Sequence, residues 1–303
     1  MASQNIAAPK LYDFYSILSD HERLLQYLRD IKLIDSIRNC QQCSKTMKLS
    51  KNHAKVDKQE WRCDYCLRVE SIRINSIFEK SKLSLRMQME ILYFFATDIQ
   101  VFEVEKFTDI SHVTVIEWYK KLRQLCKLFL EKDPISLGNA EGSVVEIDES
   151  LFGKKRKYNK GTGKQDTWVF GMKEKGTRKV LFQIVEKRNK ETLIPIVKTS
   201  VTEGCTIYSD CWKAYYSLEK EGYNHTTVNH SKQFKSEDGT CTNGIEGVWG
   251  LVKLKIKSMK GILHDKIDSI LQEFSYRHRY GMPNGDIYHI LMNDISKLNY
   301  EQL

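Results

Sequence analysis

The longest apolar run in the chain is Ile91 to Ala96, far short of the roughly 20 residues that span a bilayer as a helix. The opening stretch, Met1 to Lys10, has neither the basic start nor the apolar core of a secretory leader. These two absences point to a soluble protein with no membrane partner, nuclear in a eukaryotic host and cytoplasmic otherwise. Proline is scarce, 4 in 303 residues, and no low-complexity tract or internal repeat is present, which argues for a compactly folded chain. Acidic residues are in deficit, 39 Asp and Glu against 48 Lys and Arg, for a net charge of +9. Such an excess favours polyanionic partners through salt-dependent attraction to phosphates, and it serves plain solubility equally well.

Cysteine is not scarce, with 8 in the chain, but a reducing compartment excludes a disulfide framework. Four of them need another explanation. Cys40-x2-Cys43 and Cys63-x2-Cys66 lie about 20 residues apart, the spacing of a four-cysteine zinc site. Two thiolates on one tight turn clasp one side of an ion, and a second such turn completes the tetrahedron. All four ligands come from protein, so the expected Zn²⁺ is structural. His53, between the pairs, reads as a surface residue. Cys126, Cys205, Cys211 and Cys241 read as free thiols.

Three zones follow from the hydrophobic pattern. Residues 1–80 hold an N-terminal helical stretch, Leu11 to Ile37, and the cysteine pairs. Residues 81–140 read as helical. Ser84 is placed to cap a helix bearing Met87, Ile91, Phe94 and Phe95, a short segment carries Val101, Val104 and Phe107, and Ser111 opens a longer helix with Val115, Tyr119, Leu122, Cys126 and Phe129 at steps of three or four. Three helices on short connections suit a helix-turn-helix module and equally a helical spacer.

Residues 141–303 change texture. Strands are expected at Ser143–Ile147, Thr167–Met172, Lys179–Val185, Thr206–Ser209 and Tyr223–Val228, with a hairpin at Lys175-Gly176. Helices are expected at Glu191–Ser200, Trp212–Lys220 and Asn243–Lys260. That order predicts an α/β domain on a mixed sheet flanked by helices.

Three acids stand at sheet positions where sites form. Asp148 is expected to end the first strand, Asp210 a later one, and Glu246 sits near the start of the last of these helices. Convergent carboxylates suit Mg²⁺ or Mn²⁺, hard cations that take oxygen ligands. Two such ions promote in-line displacement at phosphorus, with Asp148 as the shared ligand. On that helix Ile245, Val248, Val252, Ile256 and Met259 form an apolar face, while Lys253, Lys257 and Lys260 fall within about 40° of Glu246 on a helical wheel. The acid and a lysine stripe therefore share the exposed side, where the stripe could follow a phosphate backbone. Asn243 suits either a helix cap or a contact to DNA. Trp249 suits the core, with stacking on a flipped base as the alternative. The run Lys154-Lys155-Arg156-Lys157 fits a solvated hairpin loop, a DNA contact beside the acids, or a nuclear-import signal.

The stretches Glu146-Ile147-Asp148-Glu149-Ser150, Tyr208-Ser209-Asp210-Cys211-Trp212-Lys213-Ala214-Tyr215, Val228-Asn229-His230-Ser231, Thr242-Asn243-Gly244-Ile245-Glu246-Gly247-Val248-Trp249 and Gln272-Glu273-Phe274-Ser275-Tyr276-Arg277 resemble, in that order, the motifs of Merlin-type DDE transposases and their bacterial insertion-sequence relatives. The resemblance runs from about Cys40 to Arg277. It implies a ribonuclease-H-like catalytic domain behind a zinc ribbon, divalent metal at Asp148, Asp210 and Glu246, and strand cleavage and transfer at terminal inverted repeats. It also implies transposon ends and target DNA as partners, and a homo-oligomer that holds two ends. Cys241 departs from the pattern, since relatives often carry His there. A catalytically inactive, domesticated DNA-binding protein is the alternative.

Overall fold

The computed structural model describes residues 8–153, 166–228, 242–259, 264–281, 286–298 and 300. The chain forms two compact units, one of Met1–Leu122 with Met282–Leu303 and the other of Arg123–Gly281.

The first unit opens with α1 (Leu11–Leu18) and α2 (His21–Asp30). The pattern from Leu11 to Ile37 predicts one helical stretch. The chain instead breaks at Asp20, whose extended backbone and side chain, accepting from Arg23 N at 2.7 Å, cap a second helix. It leaves α2 before Ile34, and Lys32 takes a left-handed turn with φ of 59°. A three-stranded antiparallel sheet follows: β1 (Lys48–Lys51), β2 (Gln59–Arg62) and β3 (Val69–Ser71). Then come α3 (Leu85–Ala96), α4 (Val101–Phe107) and α5 (His112–Lys132), which ends in the second unit. Ser84 Oγ accepts from Met87 N at 3.2 Å and Ser111 Oγ from Thr114 N at 3.4 Å, so both expected caps are present. α3 is buried on nearly every side rather than along one stripe.

In the second unit a five-stranded sheet has the order β6-β5-β4-β7-β8. Strands β4 (Val144–Phe152), β5 (Thr167–Glu174) and β6 (Val180–Val185) form an antiparallel meander. Gly176, at φ of 74°, supplies the left-handed turn of the expected hairpin. Helix α6 (Lys190–Ser200) crosses over to β7 (Thr206–Asp210), which runs parallel to β4, and β8 (Asn224–Val228) runs parallel to β7. The segment Trp212–Lys220 is not the single helix expected. It makes two 3-10 turns, Lys213–Tyr215 and Glu219–Glu221, with Tyr215 and Leu218 buried.

Strand alternation sends the two faces of the sheet into two cores. Val145, Ile147 and Phe170 pack with Leu193 and Val197 of α6 and with Tyr215. Phe152, Val169 and Val180 pack with α7 (Asn243–Ser258) and α8 (Ile267–Tyr280). The buried carboxylate of Glu273 on α8 ties this layer together, meeting Arg123 at 2.9 Å, Lys255 at 3.1 Å and Arg277 at 2.7 Å. The last helix, α9 (Tyr288–Ser296), returns to the first unit, where Tyr288 meets the Tyr27 hydroxyl at 2.7 Å. No helix among the described residues is long and apolar enough to cross a membrane.

Candidate metal centre and active site

The two cysteine pairs occupy the turn before β1 and the turn between β2 and β3. Their four sulfurs lie within 4.8 Å of one another. Cys40 and Cys66 are 3.4 Å apart, as are Cys43 and Cys63. Backbone N–H groups point at every sulfur: those of Gln42, Cys43 and Lys45 in the first turn, and of Tyr65, Cys66 and Arg68 in the second. Burial acts to raise the Cys40 thiol, but the N–H groups of Cys43 and Gln42 and the neighbouring Cys66 and Cys43 thiols bring it down to about 7. Cys66, despite the Arg68 N–H, is pushed up to about 12 by burial and by the crowding of the other three sulfurs. A shell of donors aimed at thiolates is what a bound cation requires, so the donor set fits one structural metal ion. His53 is exposed and stands outside the group.

The acids assemble differently. Asp148 does not end its strand. β4 continues to Phe152 because its second half keeps pairing with β5, Asp148 opposite Gly171 and Phe152 opposite Thr167. Its parallel register with β7 stops earlier, at Glu146 opposite Tyr208. Asp148 therefore stands just past the parallel pair while still held by the antiparallel one. Trp249 of α7 donates from Nε1 to Asp148 Oδ2 at 3.1 Å. The indole covers Gly171, where a Cβ would come within 2.4 Å of it. Asp210 ends β7 as expected, and its Oδ1 accepts from Trp212 N at 2.9 Å. Glu246, in the first turn of α7, is exposed and accepts from Thr242 Oγ1 at 3.0 Å.

The structure brings these three acids into one electrostatic neighbourhood. Asp148 is pushed up to about 6, first by burial and then by the charges of Asp210 and Glu246. Their carboxylates do not close to cysteine-like range: among the described residues the four cysteines are the only group of three or more metal-ligating side chains within 4.8 Å.

Two further acids escaped the sequence reading. Glu146 is buried, and its Oε2 accepts from Ile245 N at 2.7 Å, with Gly244 N also donating. Its pKa is raised, so burial outweighs both donors and the charges of Lys173 and Lys175. The carboxylate holds the start of α7, the helix that carries Glu246. Gly244 leaves it room, since a Cβ there would meet Glu146 Oε2 at 2.4 Å. Glu149 points to the opposite face of β4, where Tyr215 donates its hydroxyl proton. Burial first, then Asp148 and Asp210, push Glu149 up to about 7. Strand alternation from Asp148 could have put Glu146 on the same face, but its partner lies 99 positions away.

On α7, Ile245, Val248 and Val252 are buried and Glu246, Lys253 and Lys257 are exposed, as the wheel predicts. Ile256 and Met259 are only half-buried. Trp249 is a core residue at 4% exposure, which removes it as a stacking surface. Asn243 is not the helix cap. It is exposed at the first helical position, and Thr242 holds the cap position. Lys154, Lys155, Arg156 and Lys157, with His230, Cys241 and Lys260, lie outside the described residues.

Residues 139–278 match the family model of an ISXO2-like transposase domain. An uncharacterized transposase-like protein of Haemophilus influenzae is 28% identical over 99 residues, which are 33% of this chain and 80% of that one. A simian T-cell lymphotropic virus intasome in complex with the PP2A regulatory subunit B56 gamma aligns over 60% of this chain and 66% of its own. At 10% identity and a TM-score of 0.32, that likeness is too loose to bear on the fold. Over the stretch that carries all three acids, the chain resembles the transposases of bacterial insertion sequences.

Proposed function

We propose that this protein is a DDE-type DNA transposase that cleaves and transfers strands at terminal inverted repeats. The observation that carries the reading is the electrostatic grouping of Asp148 with Asp210 and Glu246, drawn from two neighbouring parallel strands and a helix. The donor set fits divalent cations: carboxylate oxygens are the hard ligands that Mg²⁺ and Mn²⁺ prefer, and the mutual repulsion of the acids is what a cation relieves. Asp148, Asp210 and Glu246 would hold two ions, with Asp148, the acid that feels both others, as the shared ligand. Such ions neutralise charge at the attacking and leaving oxygens of a phosphoryl displacement.

The chain's own residues do the positioning. Trp249 fixes the Asp148 carboxylate, and Glu146 fixes the helix that presents Glu246. Lys253 and Lys257 project from the exposed side of that helix and would follow the phosphate backbone into the acids. Asn243, exposed at the helix start, is a candidate contact beside the scissile phosphate. The sheet, with its antiparallel meander followed by two parallel strands, supports a ribonuclease-H-like domain within residues 141–303. Residues 1–80, with Zn²⁺ on the four cysteines, and the helices of 81–140 would supply DNA binding, the latter as a helix-turn-helix. Pairing two transposon ends calls for a homo-oligomer.

The test is cleavage of a duplex carrying the element's terminal repeat, in Mg²⁺ or Mn²⁺, by the wild type and by Glu246→Gln. Cleavage by the wild type alone, with repeat binding kept by both, is the expected result. Repeat binding without cleavage by either would replace the enzyme with an inactive, domesticated DNA-binding protein.

A further inference from the structure

The chain has 5 tryptophans, and Trp61 and Trp249 are buried. Trp212 is 40% exposed although it lies two positions from Asp210. It is not loose. Its backbone N–H is held by Asp210 Oδ1 at 2.9 Å, and its indole Nε1 donates to the Arg188 carbonyl at 2.9 Å. The Arg188 guanidinium lies 3.6 Å from the centre of the Trp168 ring and 5.1 Å from that of Trp212. Its charge also reaches Glu149, next to Asp148 in the strand. Tyr216, on the same turn, is 60% exposed and anchored by its hydroxyl to the Cys211 carbonyl at 3.3 Å. Two open aromatic rings and an arginine are thus fixed at the border of the acid cluster.

We propose that Trp212, Arg188 and Tyr216 form a stacking platform for one unpaired nucleobase of the DNA strand being processed, with Arg188 meeting the neighbouring phosphate. The proposal rests on the DNA-processing reading above. The chemistry selects this occupant. Beside three carboxylates, the half-buried arginine, its guanidinium set against the Trp168 and Trp212 rings, favours an anion. Fixed aromatic faces favour a flat π-system, and an unpaired nucleotide carries both. A base inside a duplex offers only its edges, because its faces are already stacked. Reaching this platform therefore requires a base that has left the helix, at a site whose chemistry acts on the adjoining backbone. An indole anchored by its Nε1–H keeps its orientation without the nucleotide, so little side-chain freedom is lost on binding.

The experiment compares two short duplexes of one sequence, one with a single unpaired 2-aminopurine and one fully paired. Both are bound by the full-length protein with Ca²⁺ in place of Mg²⁺. The wild type should prefer the unpaired probe and quench its fluorescence. Trp212→Ala should reduce that preference by roughly 5- to 150-fold, the range a base–aromatic stack supplies, and restore the fluorescence. Trp212→Phe, which keeps a flat ring but loses the bond to Arg188, should retain most of both. Equal preference in wild type and Trp212→Ala would overturn the platform, as would a loss by Trp212→Ala that is the same on both probes. Wild-type binding to both probes without preference or quenching removes the platform and leaves the DNA reading standing. Failure of the wild type to bind either probe removes both.

Discussion

The cysteine centre and the acid centre answer the same problem, holding like charges together, in opposite ways. The cysteines draw all ligands from two tight turns, and each turn aims backbone N–H groups at its own sulfurs. The stabilising donors are local, so the four sulfurs gather within 4.8 Å. The acids come from β4, β7 and α7, and each is held by a neighbour rather than by the others: Asp148 by Trp249, Asp210 by the Trp212 N–H, Glu246 by Thr242. The three oxygens do not gather as the sulfurs do, and the burden of position shifts to the scaffold. The first centre should therefore fail when a ligand is removed, and the second should also fail when a residue that touches no substrate is changed.

The largest effect should come from the first centre. Structural zinc in small peptides contributes about 10–16 kcal/mol of binding free energy that is also folding free energy. Cys63→Ser should abolish stoichiometric zinc and unfold β1 to β3, while the five-stranded sheet keeps its structure. Zinc content and hydrogen exchange, measured together, check both halves. Full zinc occupancy in Cys63→Ser would refute the four-ligand assignment.

Next in size is Glu273, which touches none of the three acids. Burial alone would raise its pKa, but Lys255, Arg277 and Arg123 hold it well below the usual carboxylate range. Glu273→Gln leaves three cations facing each other in a buried layer, and breaking such a network costs about 3–5 kcal/mol. The folded pKa lies below the unfolded value of about 4.3. The contribution is thus fully present above that value and is lost as pH falls through the folded one. Denaturant midpoints at neutral and acidic pH should show the gap between wild type and Glu273→Gln narrowing in acid. A gap independent of pH would show that the network's charge is not what stabilises this layer.

What was legible in the sequence follows the same division. The four cysteines could be grouped because their chemistry is written in local spacing. The caps at Ser84 and Ser111, the hairpin at Lys175-Gly176 and the exposed side of α7 are also local, and all are present. The misreadings arise where tertiary partners decide. The end of β4 is set by β5 and not by its own residues, so the strand runs past Asp148, where the sequence pattern alone ends it. Asp20 carries a cap signal, but the apolar period runs through it and hid the break between α1 and α2. Asn243 and Thr242 both suit a cap, and one residue of helix start decides between them. Glu146, Glu149 and Glu273 look like ordinary surface acids in sequence. Their roles come from partners on other elements, among them Ile245, Tyr215 and Arg123.

The smallest effect is also the sharpest test of the scaffold, because two opposing terms must be weighed. Replacing glycine by alanine inside a helix gains about 0.5–1 kcal/mol from backbone entropy. At Gly250 a Cβ meets nothing within 4 Å, so Gly250→Ala should stabilise by that amount. At Gly244 the same methyl would lie 2.4 Å from Glu146 Oε2. That oxygen is not the free end of a flexible chain, since Ile245 N holds it at 2.7 Å in a buried site. Overpacking costs about 1–3 kcal/mol, so the steric cost should win and Gly244→Ala should destabilise. Thermal melts of the two variants, opposite in sign on one helix, check the argument. Gly244→Ala should also shift the start of α7 and with it Glu246, lowering cleavage more than its melt alone accounts for. If both variants stabilise alike, Glu146 is free to move, and the acid centre does not depend on that clamp.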